Sequence, residues 1–227
     1  MNVRRLHILC EGQTEENLAN ETLRPYFASA QAYVTVSVLN TRRTAAGPNG
    51  KGGVGRWSSL ERDIRLLARD SSIDVLTTLV DYYGAPSDAP GMGDRPRGTA
   101  YDRVAHVESA MARAVDDPRF LPHLVLHETE AWVIACAETL GELVGKPRLS
   151  DSLRALATSA GGPELVNDGP DTAPSKRITR LHPTYRKTRD GPDAVHLAGV
   201  EQVRLRCPHA DAWFRAVEER LGTGRSG

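Results

Sequence analysis

The sequence predicts an α/β fold, in which a mostly parallel sheet is covered by helices on both faces and is followed by a helical appendage. Between residues 5 and 137, short apolar segments alternate with helical patterns, which is typical of parallel strands joined by right-handed crossovers. Beyond Gly145 the strand signal fades, and short helical patterns are separated by glycine and proline. We therefore divide the chain into an α/β domain, residues 1–145, and a helical appendage, residues 146–227, packed on it.

The first strand is predicted over Leu6–Cys10, which is mostly apolar and therefore suits the centre of a sheet covered on both faces. Glu11 follows at its C-terminal end, and Gly12 lets the backbone turn sharply. Thr14, with Glu15 and Glu16 beside it, predicts the start of a helix that runs over residues 13–29.

Two further strands and a helix are predicted before residue 82. Tyr33–Leu39 alternates apolar and polar residues, which indicates a strand exposed on one face. Ser58 and Glu61 have the spacing of a capping box, so a helix is expected to run to Ala68. Asp74–Val80 is the third predicted strand, and it ends on Asp81 as the first ends on Glu11.

The remaining elements follow the same signals. Thr99 and Asp102 open a helix that is expected to run to Val115. His123–His127 is a fourth predicted strand, followed by Glu128 and Glu130 at the head of a helix. Short helices are predicted in the appendage over residues 150–157, 176–181 and 211–221.

Acidic side chains follow three predicted strands of one sheet. Ligands of open α/β sheets bind beyond the carboxyl ends of the strands, where these acids would converge. Clustered carboxylates repel one another unless a cation holds them, and oxygen ligands suit Mg²⁺ or Mn²⁺. The alternative is structural, because acids are common at helix N-termini, where the helix dipole stabilises them. The candidate ligands are Glu11, Glu15, Asp81, Glu128 and Glu130.

Composition restricts the class of protein. The 29 Lys and Arg residues equal the 29 Asp and Glu residues, so any surface for a polyanion must be local. The cysteines at positions 10, 136 and 207 are far apart, which favours buried thiols in a reducing compartment. No signal peptide and no membrane-spanning run is recognised, so a cytoplasmic location without membrane partners is expected.

Two local basic segments are candidates for contact with a phosphate backbone, although a flexible linker or a solvated face would explain either. Residues 40–56 are rich in glycine and are expected to form a mobile loop; a G-x-G-x-x-G pattern within them lies too far from its strand for a dinucleotide site. Residues 172–189 contain no acid. The candidate contacts are Arg42, Arg43, Lys51, Arg56, Lys176, Arg177 and Lys187.

Five segments resemble, in order, the blocks of a bacterial domain-of-unknown-function family regarded as Toprim-like: Cys10–Glu15, Val80–Gly84, Leu126–Ala131, Pro174–Arg177 and Cys207–His209. The family is similar to the Toprim half of the overcoming-lysogenization-defect nucleases, whose members often lie beside AAA or SMC-like ATPases in phage-defence loci. The resemblance implies a Toprim-like α/β domain with a possible ATPase partner.

By position, Glu11 would be the Toprim glutamate, a general base or metal ligand, and Asp81 the first acid of the Asp-x-Asp motif. Tyr83 stands where the second aspartate is expected, so Glu128 or Glu130 would complete the site. The leading hypothesis is a Mg²⁺- or Mn²⁺-dependent nuclease with Glu11, Asp81 and Glu128 as catalytic metal ligands. The rival hypothesis is a non-catalytic adaptor that binds an ATPase or nucleic acid.

Overall fold

The computed structural model describes residues 3–39, 54–166 and 172–223. Five parallel strands form the sheet, which confirms the predicted α/β class. The spatial order is β2-β1-β3-β4, and β5 also pairs with β3. The strands are β1 (Arg4–Cys10), β2 (Ala32–Val38), β3 (Val75–Asp81), β4 (Phe120–Leu121) and β5 (Leu124–Val125).

The helices of the first half connect these strands. A π-helical segment, Ala19–Leu23, joins α1 to α2 without a break. The helices before residue 145 are α1 (Gln13–Leu18), α2 (Arg24–Ser29), α3 (Trp57–Ala68), α4 (Ala100–Val115), α5 (Glu130–Ala135) and α6 (Ala137–Leu143). Those after it are α7 (Pro147–Ala160), α8 (Pro174–Leu181), α9 (Asp190–Ala198), α10 (Val200–Arg206) and α11 (Pro208–Leu221), with a 3₁₀ turn at Pro163–Leu165.

Two apolar cores lie on opposite faces of the sheet, as the period-2 alternation of strand side chains requires. In β1, Ile8 packs into one core and Leu9 into the other. α3 and α4 cover the second core, whereas the first core contains residues from both sides of Gly145. Phe27 of α2 stacks on Phe214 of α11 with ring centroids 5.9 Å apart. The C-terminal helices therefore share the hydrophobic core of the sheet.

Two helix starts differ from those predicted. Gly12, not Thr14, is the N-cap of α1, and its N–H donates to the Glu15 carboxylate (3.1 Å). α3 begins at Trp57, one residue before the predicted Ser58, because the Trp57 N–H is satisfied by the Asp88 carboxylate (2.8 Å). The contact at α1 is local, whereas at α3 a contact from elsewhere in the fold replaces the cap expected from the sequence.

The predicted strand His123–His127 is shorter than expected. The Thr78 hydroxyl contacts both the N–H and the carbonyl of His123 at 2.9 Å, so this residue pairs with a side chain instead of a neighbouring strand. At the other end, His127 has φ +66°, which interrupts the extended backbone. Only Leu124–Val125 remains as β5.

The sequence also missed helices in the appendage. α9 begins with Asp190-Gly191-Pro192, which reads as a break but lies in the first helical turn, where proline is tolerated. The Cys10, Cys136 and Cys207 thiols are all free and buried, as expected. Within the described ranges, no helix is long and apolar enough to cross a bilayer.

Candidate metal centre at the strand ends

The carboxyl ends of β1 and β3 bring Glu11 and Asp81 together. The Glu11 N–H donates to the Leu79 carbonyl (3.0 Å), which extends the pairing of the two strands by one residue. The Glu11 Oε2 atom in turn accepts a hydrogen bond from the Asp81 N–H (3.0 Å). Strand pairing therefore fixes two acids that are seventy positions apart in the chain.

Thr129 joins Asp81 to Glu15. Its N–H donates to the Asp81 Oδ1 atom (2.8 Å), and its hydroxyl lies 2.9 Å from that same oxygen and 2.6 Å from Glu15 Oε1. A hydroxyl has a single proton, so it cannot donate to two carboxylates at once. One contact is satisfied only if a carboxyl is protonated. Burial, and then the charge of Glu15, raise the pKa of Asp81 and favour its protonated form.

Glu130 is the most deeply buried acid of the group, with no exposed surface. Its Oε2 atom lies 3.0 Å from the Lys187 ammonium, which is also 3.7 Å from Asp81 Oδ2. The Oε1 atom has no hydrogen-bond partner among the described residues. Burial raises the pKa of Glu130 to about 7 even though the Lys187 charge acts against it. Burial lowers the pKa of Lys187, but Glu130 and Asp81 outweigh that effect and hold the ammonium charged.

Glu11 and Glu128 complete the arrangement. Burial and the charge of Glu15 raise the pKa of Glu11 to about 7. The Glu128 Oε2 atom accepts a hydrogen bond from the Ser175 N–H (2.9 Å), which ties the start of α8 to this end of the sheet. Gly84 leaves room for Glu11, since a Cβ atom there would lie 2.5 Å from both carboxylate oxygens.

We call these five residues the acidic cluster: Glu11, Glu15, Asp81, Glu128 and Glu130. The structure places all the acids that the sequence singled out at this end of the sheet, although no three of them bring a carboxylate oxygen within 4.8 Å of one another. Within the described part of the chain, Lys187 is the one Lys or Arg that is ion-paired with them. The set consists of hard oxygen donors with a deficit of positive charge, which is the donor chemistry that Mg²⁺ or Mn²⁺ requires.

The predicted basic contacts are dispersed. Arg56 is exposed at the start of α3, and Lys176 is exposed on α8. The Arg177 guanidinium donates to the Thr172 carbonyl (3.3 Å). Lys187, predicted to bind a phosphate backbone, contacts the acidic cluster instead. Arg42, Arg43, Lys51 and most of the loop predicted to be mobile lie outside the described residues.

Two features of the site were not foreseen from the sequence. Thr129 was not singled out, because one threonine between two glutamates carries no distinctive pattern. Lys187 was assigned to a basic surface because its neighbours in the chain are cations. The Asn17 side chain donates to the Thr188 carbonyl (2.7 Å), which holds the segment after Lys187 against α1. This tertiary contact helps place Lys187 at the acids.

Comparison with known proteins identifies a family. The model of a family described as "Domain of unknown function (DUF4276)" matches residues 10–218, which is most of the chain. No curated protein and no solved structure matches it.

Proposed function

We propose that this chain, which belongs to the DUF4276 family, is a divalent-metal-dependent phosphodiesterase that cleaves nucleic acid. The observation that supports this most is the acidic cluster, in which five carboxylates have a single ion-paired cation, Lys187, within the described residues. Such a set is electrostatically unfavourable when all its members are ionised. A bound divalent cation would relieve the repulsion.

The residues of the acidic cluster have two proposed roles: some would bind the cation, and the others would hold those ligands in position. Glu11, Asp81 and Glu128 would hold Mg²⁺ or Mn²⁺, because each follows a strand end with oxygen donors, and Glu11 and Glu128 are partly exposed. Glu15 supports Asp81 through Thr129, and Glu130 does so through Lys187. The cation, when bound, would polarise a phosphate oxygen and activate a water molecule for in-line attack.

Tyr83 occupies the position where the Toprim resemblance implies a second aspartate. Its N–H donates to the His127 carbonyl (3.2 Å), so the chain after β3 runs beside the turn that carries Glu128. This contact favours Glu128 as the carboxylate that replaces the absent aspartate. A Toprim-like relationship for the family is part of the proposal.

A nucleic-acid substrate is supported by the position of α8. The Ser175 N–H contacts Glu128, and the next two residues are Lys176 and Arg177. Cations thus follow directly on the acidic cluster along this helix. They would contact the phosphate backbone of a substrate whose scissile phosphate lies at the cluster. An AAA or SMC-like ATPase partner in phage defence rests on the resemblance in the sequence. A cytoplasmic location rests on the sequence signals for targeting and on the cysteines.

The test is cleavage of plasmid DNA and of total tRNA with Mn²⁺, Mg²⁺ or EDTA. We expect metal-dependent cutting by the wild-type chain, and its loss in Glu11→Gln and in Asp81→Asn. Glu16→Gln is the matched control, because it removes a charge from the same helix without touching the cluster's hydrogen bonds. Cutting that persists in EDTA, or in both cluster variants, contradicts the proposal.

The second candidate is an adaptor that retains the site without catalysis. Lys187 favours it, because its ammonium already neutralises part of the charge between Glu130 and Asp81. Calorimetry separates the two functions. An adaptor of this kind would show neither metal binding nor cutting, whereas metal binding without cutting would indicate a nuclease that needs its partner.

A further inference from the structure

A second group of titratable side chains lies apart from the acidic cluster. Glu108 of α4, His123 before β5 and His209 in the first turn of α11 meet where the three elements join. One ligand atom from each lies within 4.8 Å of the other two. All three are largely buried, with side-chain exposures of 17%, 1% and 11%.

The contacts within this group converge on the Glu108 carboxylate. His123 Nδ1 lies 3.5 Å from its Oε1 atom, and His209 Nε2 lies 3.1 Å from its Oε2 atom. Two ligand atoms about 2.0 to 2.1 Å from a common tetrahedral ion are separated by about 3.3 to 3.4 Å. The two observed separations lie on either side of that value, and because they involve different oxygens, an ion shared by both imidazoles would contact both oxygens of Glu108. The longer separation is at the limit of a hydrogen bond.

Contacts from outside the group hold its three residues in position. The Leu124 N–H donates to Glu108 Oε1 (2.8 Å), and the His209 N–H donates to Glu164 Oε2 (3.0 Å). The His123 ring stacks on Trp213 with centroids 4.7 Å apart. A set of side chains fixed in this way by second contacts is what a metal site requires.

Two features of this group are unusual for buried polar side chains. Across the described ranges, no Lys or Arg is ion-paired with Glu108, whose ion-pair partners are the two imidazoles. The other ring nitrogens, His123 Nε2 and His209 Nδ1, are buried without a hydrogen-bond partner in the described part of the chain. These two nitrogens lie on the far side of each ring from Glu108, which leaves His123 Nδ1 and His209 Nε2 as the ligand atoms that face the carboxylate.

We propose that Glu108, His123 and His209 bind a divalent transition-metal ion of the Zn²⁺ class. Two imidazoles and a carboxylate are typical Zn²⁺ donors and differ from the all-oxygen acidic cluster. With three protein ligands, a tetrahedral ion would take its fourth ligand from water. The ion would fasten α11, which packs on one face of the sheet, to α4 on the other. This inference does not depend on the nuclease proposal, and it gives the Cys207–His209 segment a role.

The test uses the full chain, stripped with EDTA and dialysed. Titration with Co²⁺ is followed by visible absorption, and titration with Zn²⁺ by calorimetry. We expect one equivalent of Co²⁺ to show the strong absorption of a four-coordinate site, which a six-coordinate ion at the oxygen donors of the acidic cluster would not give. The affinity of that absorbing site should fall by more than about 100-fold in His209→Gln and in Glu108→Gln. His106→Gln is the matched control, because it changes a histidine of the same helix that pairs with Asp94 instead.

Asp81→Asn separates this site from the acidic cluster, and we expect its Co²⁺ spectrum to match that of the wild type. X-ray absorption spectroscopy of the zinc-loaded wild-type chain needs no variant, and we expect it to show scattering from imidazole ligands of the ion. The inference is overturned if the wild-type chain takes up no stoichiometric Zn²⁺ or Co²⁺ at micromolar concentration, or if imidazole scattering is absent. Unchanged affinity in the folded His209→Gln and Glu108→Gln variants overturns it as well. The contacts of the group would then be explained by an ion pair between Glu108 and a protonated His209.

Discussion

Replacing Glu11 by glutamine keeps the shape of the side chain and removes its charge. The amide oxygen can still accept the hydrogen bond that the Asp81 N–H donates to Glu11 Oε2. The variant therefore isolates the electrostatic cost of one carboxylate in the acidic cluster. We expect Glu11→Gln to stabilise the metal-free protein at pH 8, which is unusual for a buried position.

The magnitude follows from the pKa of Glu11, which is raised from 4.5 to about 7 by burial and by Glu15. Between these values the folded protein binds more protons than the unfolded chain, so stability falls as the pH rises through this window. At about 1.4 kcal/mol per pKa unit, the ionised side chain costs about 3 kcal/mol at pH 8. Glutamine carries no such cost, and the corresponding gain in Tm is up to about 6 to 12 °C.

The assay is thermal unfolding of both proteins in EDTA from pH 4.5 to pH 8. The advantage of Glu11→Gln should be largest at pH 8 and should nearly vanish near pH 4.5, where Glu11 is protonated in the folded protein and half protonated in the unfolded chain. Saturating Mg²⁺ should stabilise the wild type alone and so narrow or reverse the difference. Glu16→Gln should show neither effect. A Glu11→Gln variant that is destabilised equally at both pH values would refute the electrostatic reasoning.

Three further predictions concern the site and the core. Lys187→Met should lower the free energy of unfolding at pH 8 by about 1 to 2 kcal/mol, a range that allows for solvent screening of the half-exposed lysine. The loss should be smaller at pH 5, where Glu130 is protonated, and urea unfolding at the two pH values measures the difference. Gly84→Ala should weaken Mg²⁺ binding at least tenfold in calorimetry and destabilise the fold by about 1 kcal/mol, because the added methyl group displaces the Glu11 carboxylate. An unchanged affinity would contradict the placement of Glu11. Phe214→Ala should lower the free energy of unfolding by about 3 to 5 kcal/mol, since Phe214 is fully buried in the core shared with the sheet, and unfolding should remain a single transition. Two separate transitions in calorimetry would show that the C-terminal helices unfold independently.

The sequence determined the order and type of the main elements. Alternation of apolar strands with amphipathic helices is a local signal, and it predicted β1, β3 and α4 to within one or two residues. The Thr99–Asp102 capping box, also local, is present at the start of α4. Where a cap is supplied from elsewhere, as Asp88 supplies it to Trp57, the local pattern misplaced the start of the helix.

The acidic cluster was predictable for a geometric reason. Parallel strands end at the same edge of a sheet, so acids that follow different strands must come together there. Glu11 and Asp81 required only that rule. The Glu108, His123 and His209 group had no such rule, because its members come from a helix face, a loop and a helix start whose contact depends on how α4 and α11 pack.

Lys187 shows most clearly what only the tertiary structure decided. Along the chain it belongs to a run of cations, and charge composition predicts a surface for phosphate. In the fold, it lies 3.0 Å from the buried Glu130 carboxylate. Composition specifies which charges are present, but the partner of each charge is set by long-range packing, because the energy of an ion pair depends on distance and burial and not on separation along the chain.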